Sequence, residues 1–517
     1  MYPGAHAATQ PDHPAFIMAT SGITVTYREL DERSNRIAHF LRDHGLQRMA
    51  HYSVFMENND RFLECNAAGE RAGLYYTCIN SFLKAAEVAY ILTNSESEIL
   101  FTSERNKAVA LEAMAMAPGV RLCIVVDGPG DGNTVLNLDE AISAYPATSI
   151  PDESRGTAML YSSGTTGQPK GILRPMPDIG PNEQLPLFAF LTQLWQYRHG
   201  MIYLSPAPLY HSAPQAAVSL TIRTGGTAVI MEKFDPEQYL SLIEKHRITH
   251  SQLVPTMFSR MLKLPEEVRN KYDRSSLEIA IHAAAPCPVQ VKEQMIDWWG
   301  PIIHEYYGAT EGLGFTSCNS EEWLAHKGTV GKVLFGELTV MDEEMNPVPN
   351  GTSGTLWFKS GSDFEYFNDP ERTAKDRSPD GTMSTVGDVG YVDDDGFMYL
   401  TDRATFMIIS GGVNIYPQEC EDLLISHPKV MDAAVFGVPN QEMGEDVKAC
   451  VQLMPGEAGS PEMAEELIAY CTQNLAKLKC PKSIDFLDEL PRLPTGKLYK
   501  RLLRDRYWEG HASKIAG

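Results

Sequence analysis

The segment Tyr161–Gly171, YSSGTTGQPKG, constrains this chain more than any other. Ser162, Ser163, Thr165 and Thr166 are interleaved with Gly164 and Gly167, and Lys170 follows. Glycines leave backbone N–H groups approachable, the hydroxyls add side-chain donors, and the lysine adds one mobile positive charge. Phosphate oxygens accept that combination. The Gly-Lys-Ser/Thr ending of a Walker A loop is missing. Read alone, the same string is also a polar surface turn, so its neighbours decide between the two.

Those neighbours alternate between strand-like and helix-like segments. Thr24–Leu46 opens on a β-prone run, after which Thr26 and Glu29 form a capping-box pattern ahead of apolar positions at helical spacing, with Gly45 as the stop. The apolar runs 229–234 and 433–438 read as strands, and PEQYLSLIEKHRI reads as an amphipathic helix. The pattern predicts α/β architecture. With 517 residues, more than one core is expected. Short strands and turns fill 341–402, and IYPQECEDLLISHPKV onward reads as a smaller α+β unit. The expected boundary therefore separates 1–402 from 403–517.

A formal net charge of −23 disfavours nucleic acid or an anionic membrane as main partner, so an anionic ligand needs a local positive field. MYPGAHAATQPDHPAF lacks a secretory pattern, and no run of about 18 apolar residues suggests a spanning helix. Nine cysteines lie scattered with no metal spacing. A reducing cytoplasm is the expected setting.

Seven further motifs follow the loop: Pro208-Leu209-Tyr210-His211, Ala283-Ala284-Ala285-Pro286, Tyr306-Tyr307-Gly308-Ala309-Thr310-Glu311-Gly312, Gly387-Asp388-Val389-Gly390, Asp402-Arg403, Gly411-Gly412-Val413-Asn414 and Pro494-Thr495-Gly496-Lys497. In kind and order they resemble the adenylate-forming superfamily: acyl-CoA synthetases, adenylation domains and firefly luciferase. The resemblance covers nearly the whole chain. It implies a large N-terminal adenylation domain of several subdomains and a small, mobile α+β C-terminal domain. It also implies ATP, Mg²⁺ and coenzyme A, with a carboxylic acid as substrate.

Carried over residue by residue, the resemblance gives Ser162 through Gly167 and Lys170 to the phosphates. Tyr307 stacks on adenine, with Ala284, Ala285 and Gly308 leaving room. Asp388 and Arg403 take the ribose hydroxyls. Glu311 is a hard oxygen ligand of the kind Mg²⁺ requires, and Thr310 can add a hydroxyl. Lys497 stabilises charge developing at the α-phosphorus. Tyr210, His211, Val254, Ala283 and Leu313 line the acyl pocket, where His211 can bridge to the phosphate side. Gly411 and Gly412 border the path of the thiol arm, and Lys479 is a candidate for a coenzyme A phosphate. Each of these residues also has a plain structural reading as turn, packing or solvated surface.

The chain departs from the family pattern at the hinge, where Thr405 and Phe406 stand in place of the usual Asp or Lys and an acidic residue. A second departure puts Pro175-Met176 where a Ser/Thr-His pair is usual. The expected substrate is a medium-chain, long-chain or aryl-substituted acid. An enzyme loading a separate carrier protein and a non-catalytic binding homologue are the alternatives, and a homodimer is left open.

Overall fold

The computed structural model describes residues 2–162, 169–359, 364–403, 406–410, 413–440, 443–492 and 498–508, with backbone alone for Asp402, Arg403 and Asn414. The chain divides into two compact units that interleave along the sequence. The first comprises Met1–Leu253, Pro265–Ala280 and Ser362–Lys375, and the second Val254–Leu264, Ile281–Gly361 and Asp376–Gly517. The boundary expected after Asp402 falls within the second.

In the first unit the helix Tyr27–Asp43 begins at the expected capping box, with Thr26 accepting from the Glu29 N–H and the Glu29 carboxylate accepting from the Thr26 N–H. Gly45 follows with φ +86, a conformation that favours glycine and ends the helix. A six-stranded sheet has the spatial order Val135–Asn137, Leu122–Val125, Ile99–Thr102, His51–Phe55, Tyr75–Cys78, Thr157–Ala158, every neighbouring pair parallel. Its crossovers are the helices Phe62–Ala72, Ala85–Asn94 and Lys107–Met116. Parallel strands are covered on both faces, which is why these strands are buried along most of their length.

A second set runs Thr24–Thr26, Pro14–Met18, Thr227–Ile230, Ile202–Ser205, His250–Leu253. The strand read at 229–234 in fact spans Thr227–Ile230. It ends early because the Glu232 carboxylate turns back to accept from the N–H groups of Thr20 and Ser21 at 2.9 and 3.0 Å. Asp235 then caps the expected helix Pro236–His246. A small antiparallel sheet joins Glu365–Tyr366, Lys170–Leu173 and Leu160–Ser162.

In the second unit eight strands follow the order Ile279–His282, Ile303–Gly308, Phe315–Cys318, Gly331–Phe335, Phe397–Arg403, Asp388–Val392, Gly354–Lys359, Glu337–Met341. The C-terminal residues build their own sheet around the hairpin Val430–Asn440 and Gly444–Leu453. The helices Gln418–Ser426 and Pro461–Asn474 cover it, closing a core of Ile408, Leu424, Val435, Val447, Val451 and Leu467. The fold is the expected mixed α/β one, with a small α+β C-terminal part. Among the described residues no helix is long and apolar enough to cross a membrane.

Candidate active site

In the first unit, Ser162 and Lys170 are direct antiparallel partners, so the strands that end and begin there bracket the Ser/Thr/Gly loop. Ser163, Gly164, Thr165, Thr166 and Gly167 lie outside the described residues. The bracket is tight: a Cβ on Gly171 would come within 2.9 Å of the Tyr161 ring. The Tyr161 hydroxyl donates to Asn94 at 2.5 Å. The Lys170 ammonium stands 4.5 Å from the centroid of the buried Tyr366 ring. An aromatic face attracts a cation and orients it.

Tyr210 and His211 occupy the turn before the helix Ser212–Arg223, with ring centroids 4.3 Å apart. Burial raises the Tyr210 hydroxyl's pKa, and that hydroxyl has no hydrogen-bond partner among the described residues. A buried donor without a partner is costly, and a ligand oxygen would satisfy it. The turn is pinned by Asn58, whose side chain accepts from the Leu209 N–H at 2.8 Å and donates to the carbonyls of Ala207 and Met231. Sequence reasoning missed Asn58; its only signal is a polar residue closely following the apolar end of the strand His51–Phe55.

In the second unit, Ala283 is buried and Ala284 is exposed with φ +73, an uncommon conformation for a residue with a Cβ. Such strain costs about 1 kcal/mol or more and persists where the surroundings over-determine it. The next strand, Ile303–Gly308, carries Tyr307 at its end. The Tyr307 hydroxyl donates to Asp388 Oδ2 at 2.7 Å, and its ring lies roughly parallel to Phe358 with centroids 6.2 Å apart. Asp388 is 7% exposed. Strand register places it opposite Arg403, so the two expected ribose partners are cross-strand neighbours. Beyond Gly308, Ala309–Gly312 turns back on a Gly312 N–H to Ala309 carbonyl bond, with Thr310 half-buried, Glu311 6% exposed and Leu313 buried. Val254, 9% exposed, precedes the helix Pro255–Leu262.

Beneath these strand ends lies a buried polar cluster that sequence reasoning also missed. Lys292 Nζ meets Glu305 Oε2 at 2.5 Å, and His282 Nε2 is 3.4 Å from the same oxygen. Burial raises the Glu305 pKa against the pull of Lys292. Burial and then the Lys292 charge hold His282 well below its usual value, so the imidazole is neutral. His282 directly precedes Ala283, and Glu305 lies two residues before Tyr307. The same cluster thus underlies both strand ends.

For coenzyme A, Ser410 and Val413 are partners that bracket Gly411 and Gly412, which lie outside the described residues, as do Thr405 and Lys497. Lys479 is ion-paired with Glu419 at 2.5 Å, both partly exposed. Such a surface pair contributes about 0–1 kcal/mol and exchanges readily for a stronger anion.

A family description, AMP-binding enzyme, matches residues 4–364, and its companion, AMP-binding enzyme C-terminal domain, matches 419–497. A long-chain-fatty-acid–CoA ligase of Mycobacterium tuberculosis is 30% identical over 509 residues, covering 97% of both chains. A fatty acid–[acyl-carrier-protein] ligase of Streptomyces coeruleorubidus is 30% identical, covering 99% of this chain and 96% of that one. Among solved structures, ATP-bound MatB from Rhodopseudomonas palustris superposes with a TM-score of 0.81 at 27% identity, covering 98% of this chain and 99% of that one.

Proposed function

The chain belongs to the AMP-binding enzymes, the adenylate-forming superfamily to which acyl-CoA synthetases belong, and from that premise we propose that it joins a medium-chain, long-chain or aryl-substituted carboxylic acid to coenzyme A in two ATP-dependent steps. The observation that supports this reading best is the Tyr307–Asp388 hydrogen bond with Arg403 in register opposite. It sets a buried carboxylate, oriented by a phenol, beside an aromatic face. That is the equipment a nucleoside needs for its ribose and its ring.

In the first step the substrate carboxylate is already ionised at neutral pH, so no general base is required. One carboxylate oxygen bonds to the α-phosphorus, and the bond to the pyrophosphate oxygen breaks. Ser162 through Gly167 and Lys170 hold the phosphates, and Lys497 stabilises charge on the pentavalent phosphorus. The donors near Glu311 fit a shared cation better than a resident one. Glu311 is buried and directly follows the half-buried Thr310, and no group of three His, Cys, Asp or Glu among the described residues could hold a metal alone. Mg²⁺ held at Glu311 and Thr310 would supply positive charge to offset that of the departing pyrophosphate.

In the second step the coenzyme A sulfur bonds to the acyl carbonyl carbon, AMP leaves, and the thiol proton is released. Gly411 and Gly412 border the thiol's path, Lys479 takes a coenzyme A phosphate, and Thr405 serves as the pivot between 1–402 and 403–517. The separate core around Leu424 and Val451 supports that division. Tyr210, His211, Val254, Ala283 and Leu313 face the acyl group, and the unpartnered Tyr210 hydroxyl supports a polar contact there. The carrier-protein ligase of Streptomyces supports a second acceptor, a carrier thiol in place of coenzyme A.

The test is incubation with ATP, Mg²⁺ and acids from acetate to fatty, arylpropionic and steroid-side-chain acids, following pyrophosphate and AMP with and without coenzyme A. Acid-dependent pyrophosphate, thioester only with coenzyme A, and loss of both in Lys497→Ala are the expected results. Pyrophosphate without thioester moves the acceptor to a carrier, and silence across the panel overturns the proposed substrate class.

A further inference from the structure

The helix Pro255–Leu262 ends at Lys263, which is half-buried and directs its ammonium at the main chain of a distant strand. Nζ donates to the Val430 carbonyl at 2.9 Å and to the Met431 carbonyl at 2.6 Å. The next residue, Asp432, holds the Arg492 guanidinium through both carboxylate oxygens. Arg492 in turn is the antiparallel bridge partner of Leu498, and the Tyr499 N–H donates to the Pro491 carbonyl at 2.7 Å. The described residues on either side of 493–497 are therefore paired with each other and tied, through Asp432, to the point where Lys263 grips the strand.

We propose that Lys263 is a positioning residue for the adenylation step: by holding the main chain at Val430 and Met431, it fixes the base of the segment that carries Lys497. The proposal rests on the ligase reading and on the role that reading gives Lys497. The chemistry of the contact supports it. An ammonium offers three donors and loses its hydration on burial, so it stays where carbonyls replace the water. Burial, with the Arg492 charge behind it, draws the ammonium down to about 8 against the pull of Asp432, the cost of holding a cation at that point. The bidentate pair one residue along is rigid in direction as well as distance, because the guanidinium fork matches the carboxylate. A displacement at Val430 and Met431 is thus passed to Arg492, the residue that precedes the segment.

Lys263→Met and Lys263→Arg in the full chain test this, assayed in two ways. Acid-dependent pyrophosphate release reads the first step; thioester formation from supplied acyl-adenylate and coenzyme A reads the second alone. Misplacing a catalytic group by about 1 Å costs roughly 100-fold, so Lys263→Met is expected to lower the first-step rate by about 10- to 100-fold with KM for ATP and the second step nearly unchanged. Lys263→Arg, which keeps charge and two donors, is expected to recover most of the loss. Equal losses in both steps, a loss that merely follows the fall in thermal midpoint, or an intact first step in Lys263→Met each overturn the proposal. Lys497→Ala runs alongside: if it too leaves pyrophosphate release unchanged, the ligase reading has failed, not the role of Lys263 within it.

Discussion

Replacing Tyr307 by Phe removes one oxygen atom and leaves the ring that lies beside Phe358. The oxygen lost is the donor to Asp388 Oδ2 at 2.7 Å, on a carboxylate that is 7% exposed. A hydrogen bond to a charged group contributes about 1.5–3 kcal/mol net. The stability of the unit that carries it is expected to fall by about that amount in denaturant unfolding. The same donor orients the carboxylate toward the ribose in the proposed site, so KM for ATP in the pyrophosphate assay is expected to rise about tenfold, the equivalent of about 1.4 kcal/mol. Asp388→Ala removes the acceptor, and a double-mutant cycle measures what the two residues do together. If Tyr307 acts through Asp388, its loss has almost no further effect in the Asp388→Ala background, and the coupling is about 1.5–3 kcal/mol. Simple additivity within about 0.5 kcal/mol would refute the argument, because Tyr307 would then act through its ring alone.

Lys292→Met leaves the buried Glu305 carboxylate without its ammonium, so a loss of about 3–5 kcal/mol in unfolding free energy is expected, recovered largely in Lys292→Met/Glu305→Gln, with thermal denaturation as the measurement. A Cβ on Gly308 would meet Phe315 at 3.5 Å, an ordinary contact, so Gly308→Ala is expected to fold normally while raising KM for ATP; an unchanged KM removes Gly308 from the nucleotide site. Burial lowers the Lys263 pKa from 10.5 to about 8 against the pull of Asp432, with the Arg492 charge adding to the fall. Between these values the unfolded chain binds more protons, so stability contributed at Lys263 rises with pH. Its burial penalty is full below pH 8 and relieved toward pH 10.5, about 3 kcal/mol in all. The stability of the wild type relative to Lys263→Met is therefore expected to climb between pH 8 and 9.5, and a flat difference across that range contradicts the assignment.

What was legible in the sequence was mostly local. The Thr26–Glu29 capping box, the Gly45 stop and the helix after Asp235 each depend on residues within a few positions of one another. Motif order brought Tyr307 and Asp388 forward as one site, but their contact spans 81 positions and needs two strands in a particular register. Lys292 was invisible for a different reason. On the helix Val289–Trp299 it shares a buried face with Val291, Met295 and Ile296, and a lone lysine in that pattern reads as the solvated edge of an apolar stripe. Asn58 and Lys263 were hidden because both act on main-chain carbonyls, which carry no side-chain signature in any sequence. The strand expected at 229–234 was misjudged because Glu232 answers to Thr20 and Ser21, more than 200 positions earlier.

The hidden residues have a physical property in common. Lys292, Glu305, Asn58 and Lys263 are polar groups withdrawn from water, each joined to a partner on a different structural element. Burial alone would be served better by apolar side chains, since a buried ion pair can be exchanged for hydrophobic residues with little or no loss of stability. What apolar packing does not supply is direction. A hydrogen bond to a named oxygen fixes a strand end or a turn to within a fraction of an ångström, whereas methyl groups tolerate sliding. The polar groups lie where the chain leaves regular structure: after His282 into the strained Ala284, after Glu305 toward Tyr307 and the Glu311 turn, and beside Leu209 before His211. These segments carry most of the described residues assigned to ATP and the acyl group, and chemistry that depends on in-line attack tolerates little error in their position.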